Sequence, residues 1–210
     1  MTRRFPRTYP RGFDLTLRPD ALDLPLRWRR PRSVFVNSMS DLFHADVPEP
    51  FIRQVFDVMA ECPRHTFQVL TKRAERASRL APRLTWPSNV WMGVSVESPE
   101  FTWRIDYLRG IPAATRFISA EPLLAALPCL DLRGIHWLIA GGESQPGCRP
   151  AADDWFRDLR DQCASAGVAF FLKQLGGHPC KRGGEDARLD GERWSQQPNR
   201  DRVGRLVLSC

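Results

Sequence analysis

The chain has 210 residues, 42% of them hydrophobic and 26% charged, proportions of a globular protein with one sizeable core. No apolar run approaches the roughly 20 residues of a membrane-spanning helix, and no apolar stretch follows the basic N-terminus as it would in a secretory leader. The net charge of +7 suggests a polyanionic partner, but residues 1–32 carry nine arginines against three aspartates, +6 of that total, which leaves +1 for the remaining 178 residues.

Residues 1–32 therefore form a basic arm. Pro6, Pro10, Pro19, Pro25 and Pro31 are too closely spaced for a long helix, so an extended segment is expected, with one short helical turn over 19–26 packing Leu22, Leu24 and Leu26 on the domain. Such an arm offers charge to nucleic-acid phosphates.

The segment Ser33-Val34-Phe35-Val36-Asn37-Ser38-Met39-Ser40-Asp41 opens β-branched and aromatic and turns abruptly polar. That is the pattern of a buried parallel strand emerging into a site-bearing loop. Val47-Pro48-Glu49-Pro50 then leads into a helix over 51–60, stopped by Cys62-Pro63. A second strand begins at Thr66 and ends in Thr71-Lys72-Arg73, and a helix over 73–84 follows it. The third strand runs from Val90 to Glu97, after which Ser98 is a candidate cap for a helix over 101–108. The fourth, from Thr115, ends in Ser119-Ala120-Glu121-Pro122, and the Pro-interrupted stretch 123–134 allows only a short or irregular helix. The fifth, from Ile135, ends in Gly141-Gly142-Glu143-Ser144; a helix over 153–166, stopped by Gly167, precedes the sixth, which ends in Lys173-Gln174. Beyond Pro179 the pattern gives way to a peripheral polar tail, residues 179–210, with a small hairpin at Asp190-Gly191.

Strand starts 20 to 33 residues apart correspond to one βα unit each, so the expected fold is α/β, an open doubly wound sheet or a (βα)-barrel built by residues 33–178. In both, ligands sit at the carboxyl ends of the strands. The candidates there are Lys72, Glu121 and Lys173 as acid, base or anion clamp. Asn37, Ser38, Ser119 and Glu143 are further polar strand ends, and Asp41 is either a base or a helix-start residue. Gly141 and Gly142 allow close approach of backbone to a ligand, or simply a tight turn. No metal site is read: the four histidines have no ligand spacing, and Cys62, Cys129, Cys148, Cys163, Cys180 and Cys210 are dispersed, as suits thiols of a reducing cytoplasm.

The wording of these strand ends, from Val34–His44 through Phe67–Arg73, Val90–Glu97, Phe117–Leu123 and Gly141–Ser144 to Phe171–Gln174, resembles a phage and bacterial family of unknown function, the phage gene-product thirty-seven/sixty-eight family. Its members are also described as three-Cys-motif proteins, and the resemblance covers residues 10 to 200. It implies a partial (βα)-barrel of about six parallel strands of the radical S-adenosylmethionine type, in which intact members carry a first strand and three close cysteines for a [4Fe–4S] cluster. This sequence begins after that segment, and none of its six cysteines stands in the motif. The expectation is thus an N-terminally shortened chain, lacking the first strand, that binds S-adenosylmethionine at Asn37, Ser38, Ser119, Glu121 and Glu143 but does not cleave it reductively. The substrate is left open, and a partner protein encoded nearby is implied. Two competing readings are a non-catalytic module binding a small anion or, through residues 1–32, nucleic acid, and a cluster-free enzyme using Lys72 or Lys173 with a glutamate.

Overall fold

The computed structural model describes residues 14–37 and 40–198. Six parallel strands form one sheet: β1 (Ser33–Val36), β2 (Thr66–Thr71), β3 (Val90–Ser95), β4 (Thr115–Ala120), β5 (Trp137–Gly141) and β6 (Ala169–Gln174). Their order in space is their order in sequence. With right-handed crossovers and no reversal of direction, every connection falls on the same side, and the sheet curls into a half-barrel.

The connections are α1 (Glu49–Glu61), α2 (Ala74–Leu80), α3 (Arg104–Arg109) and α4 (Asp153–Ala166). Strand alternation sends Val69, Met92, Val94, Ile118, Leu138, Phe170 and Leu172 toward them, against Ile52, Phe56, Met59, Ala77, Leu108, Phe156 and Leu159. Each large side chain fully buried there contributes about 1.5–3 kcal/mol of transfer free energy. Helix α4 ends where Gly167 adopts a left-handed conformation at φ 66°, the geometry glycine tolerates without a Cβ clash.

The concave face has a separate apolar floor. Trp91, Phe117, Trp137 and Ile139 are buried on it, with Leu70, Ala169 and Phe171 alongside. Trp137 stands at its centre, its ring centroid 6.0 Å from Trp91, 5.8 Å from Phe117 and 6.0 Å from Phe171. Phe117 fits because β3 carries Gly93 beside it: a Cβ at that position would lie 2.4 Å from the ring.

Several local expectations are revised. The arm makes two 3-10 turns, Pro19–Ala21 and Pro25–Arg27, and leaves Leu24 and Leu26 exposed; the contact to the domain runs instead through Pro25, whose carbonyl faces the buried His65. Pro82 shortens α2, which continues only as the 3-10 turn Ala81–Arg83. Ser98 caps no helix; its hydroxyl donates to Glu100, and a 3-10 turn precedes α3. Residues 123–134 form turns without a helix, and β5 starts at Trp137, just after His136, whose N–H is donated to the Arg116 carbonyl of β4.

The segment beyond Pro179 does form the hairpin at Asp190-Gly191, strands β7 (Arg188–Leu189) and β8 (Glu192–Arg193). It is more than a surface tail. Ala187 and Leu189 enter the core, and the chain then runs antiparallel along the outer edge of β6, where Leu172 donates to the Trp194 carbonyl and Gln196 to the Phe170 carbonyl. The Trp137 indole N–H donates to the Gln196 carbonyl at 3.0 Å. The opposite edge strand, β1, pairs only with β2 among the described residues.

Candidate functional site

Continuing each strand's concave parity beyond the apolar floor reaches Asn37, Lys72, Ser95 and Glu97, Ser119 and Glu121, Gly141 and Glu143, and Lys173. The half-barrel thus changes from aromatic to charged within one or two residues of its strand ends. Ser38 lies outside the described residues.

Two lysine–glutamate pairs dominate this rim. The Lys72 ammonium contacts one oxygen of Glu97, and Arg104 Nη1 takes the other at 2.9 Å. Arg104 is itself buried: it donates to the Ser95 carbonyl at 2.8 Å, and its guanidinium lies 4.2 Å from the centre of the Phe101 ring. Its Nε has no hydrogen-bond partner in the structure. The second pair joins Lys173 to Glu121 at 3.0 Å, with the Ser119 hydroxyl donating to the other Glu121 oxygen at 3.2 Å. In both pairs the ammonium is outermost: the lysine side chains are each 56% exposed, whereas Glu97 is 5% and Glu121 18% exposed. The rim therefore shows cations to an incoming ligand and holds the balancing carboxylates beneath them.

Four further candidates, Asp41, Glu143, Gly141 and Gly142, are committed to internal contacts. Asp41 accepts from the Phe43 and Lys72 N–H groups, the Thr71 hydroxyl and Arg73 Nη1, all within 3.1 Å, so its carboxylate binds the loop after β1 to the end of β2. Glu143 accepts from the Arg149 N–H at 2.8 Å and from its guanidinium, which pulls the Glu143 carboxyl down to about 2. The glycine pair is accounted for by packing. The Glu121 carboxyl lies over Gly141, where a Cβ would meet Oε1 at 2.5 Å. At Gly142 a Cβ would meet the Leu175 carbonyl at 2.3 Å, and the Gly142 N–H is donated to the Gln174 carbonyl. Asn37 is exposed and left-handed at φ 58°, a conformation asparagine adopts more readily than most residues.

Arg104 and Arg149 escape a reading of strand ends because both sit in the connections. Arg104 did leave a signal: it shares a helical stripe with Leu108, at a spacing of four, so an arginine occupies a position on the buried side of α3.

Among the described residues the cysteines do not assemble a cluster site. Cys62 and Cys163 are buried among the helices, and burial pushes the Cys163 thiol up to about 12. Among the described residues no group of three or more His, Cys, Asp or Glu side chains is placed to hold a metal ion. A [4Fe–4S] cluster, which needs several thiolates converging on one point, does not fit them.

A family model described as a protein of unknown function, DUF5131, matches residues 2–198. The chain belongs to the DUF5131 family. No curated protein and no solved structure matches it. In this DUF5131 chain the matched span takes in the whole half-barrel, both lysine–glutamate pairs and the segment that seals β6. No helix among the described residues is long and apolar enough to cross a membrane.

Proposed function

We propose that the rim is the ligand site of a half-barrel of the radical S-adenosylmethionine type, and that this chain uses it to bind S-adenosylmethionine. Support comes from the resemblance of the strand-end motifs to the phage three-Cys-motif proteins and, above all, from one observation: Lys173, Glu121 and Ser119 form a charge-paired trio beside an aromatic floor. A ligand with a carboxylate, an ammonium group and a flat apolar body matches such a surface. In this reading Lys173 and Lys72 receive the carboxylate, Glu121 accepts hydrogen bonds from the ammonium group, and Asn37 and Ser119 hydrogen-bond polar edges. S-adenosylmethionine supplies an electrophilic sulfonium centre when bound; its reductive cleavage draws an electron from a cluster that the described cysteines do not fit.

Titration calorimetry of the full chain with S-adenosylmethionine tests this reading. Saturable binding is expected, weakened about tenfold in Glu121→Gln or Lys173→Gln, the loss of one charge-assisted hydrogen bond. Absence of saturable heat, or an affinity in both variants unchanged from that of the native chain, overturns it.

A second reading, nucleic-acid binding by the arm, is favoured by Arg27, Arg29, Arg30 and Arg32, all exposed and without a carboxylate partner among the described residues. Arg32 also stacks over Trp28, its guanidinium carbon 4.7 Å from the ring centre.

A further inference from the structure

Away from the rim, α2 carries a stripe of arginines with too few carboxylates to balance it. Arg76, Arg79 and Arg83 are spaced by three and four residues, which places their guanidiniums in one row along α2 and the 3-10 turn after it. Together with Ala45, Glu49 and Leu80 they line a groove of about 370 Å³, within the roughly 300–1,000 Å³ usual for small-ligand clefts.

The row is held in place from one side. Arg76 donates to the carbonyls of His44 and, at 2.7 Å, Val47, fixing it under the loop that leads into α1. Arg83 pairs with one Glu49 oxygen at 2.9 Å, and Arg53 takes the other at 2.9 Å. Arg79 is exposed and has no carboxylate partner among the described residues. Among the residues lining the groove, Glu49 is thus the single carboxylate against the guanidiniums of Arg76, Arg79 and Arg83, an excess of +2. Other acids of these elements are not among its lining residues: Asp46 lies 3.7 Å from a ring nitrogen of His44, Glu75 makes no ion pair with Arg79 among the described residues, and Asp57 lies in the adjoining groove beside Arg53. Like charges three and four residues apart on a helix repel one another, so an unbalanced row is a cost to the free protein. An oxyanion accepting from several guanidiniums removes that cost and finds two of them already oriented.

We propose that this groove is a phosphate-binding site, with Arg79 as the mobile donor and Arg76 and Arg83 as the oriented ones. Arginine rather than lysine suits this, because the planar guanidinium fork matches phosphate oxygens two at a time. The phosphate has two possible sources, a free nucleotide or a nucleic-acid backbone.

The test uses the full chain, with ATP and inorganic pyrophosphate in calorimetry and a short fluorescein-labelled single-stranded oligonucleotide in anisotropy. Arg79→Gln, which removes no hydrogen bond or ion pair among the described residues, and the double variant Arg79→Gln/Arg83→Gln are compared with the arm variant Arg29→Gln/Arg30→Gln. The expected result is saturable phosphate binding that weakens about tenfold for each guanidinium lost, with thermal unfolding of Arg79→Gln unchanged or slightly raised by the relieved repulsion. If ATP and pyrophosphate bind and the oligonucleotide does not, the source is a free nucleotide or phosphate. If the oligonucleotide binds and responds to the same variants, the source is a nucleic-acid backbone. The proposal is overturned if no phosphate probe binds saturably, if both groove variants bind as the native chain does, or if only the arm variant loses binding.

Discussion

Glu121 and Glu143 end neighbouring strands, and their partners separate their roles. The guanidinium of Arg149 and its own N–H close around Glu143, so that carboxylate is already occupied. Glu121 instead shares its charge with a hydroxyl and a half-exposed ammonium, both able to turn to another partner. Replacing Arg149 with Gln should let the Glu143 carboxyl rise from about 2 toward its ordinary value, read by NMR titration of the side-chain carboxyl carbon. Because the folded value is the depressed one, the contribution of this contact is present above the unfolded pKa and lost as pH falls toward the folded one. An unchanged titration in the variant would remove Arg149 as the cause. Both glutamates could be named from sequence because each follows an apolar run at the right parity. Which of them was free could not, since Arg149 arrives from a loop whose path no periodicity encodes.

At the level of elements, the six strands were legible to within two residues because each is apolar to its last turn and then switches chemistry. The connections were less so. A 3-10 turn and an α-helix share nearly the same apolar spacing over one turn, so Pro82 and Pro99 moved boundaries that periodicity alone placed elsewhere. The stacking of Phe117 over Gly93 was also hidden, since it joins two strands across the concave face. Gly93→Ala should destabilise the chain by about 1–3 kcal/mol through overpacking, measured by denaturant unfolding. The double variant Gly93→Ala/Phe117→Leu should recover part of that loss; strict additivity of the two changes would show that the ring and the glycine are not coupled.

At the level of the whole molecule, the arm and the half-barrel are joined through His65. Its Nδ1 accepts from the Arg32 N–H at 3.2 Å and its Nε2 faces the Pro25 carbonyl at 3.2 Å, so the ring fits both partners as the neutral tautomer protonated at Nε2. Burial lowers its pKa, and burial likewise lowers that of His136, whose Nδ1 accepts from the Arg116 N–H. Histidines that resist protonation when folded leave the unfolded chain binding more protons, so stability should be flat above about pH 6.5 and decline as pH falls below it. Urea unfolding across that range checks the sign, and His65→Gln should flatten part of the decline; a stability that rises on acidification would contradict the assignment.

A sheet whose strands lie side by side in the order of synthesis gives every strand after the first a neighbour that has already been made. As the nascent chain leaves the ribosome, each new strand meets an edge already formed, and the segment 194–196 closes the β6 edge as it emerges. Assembly can therefore proceed by accretion from the first strand to the last, with residues 194–196 acting as the stop.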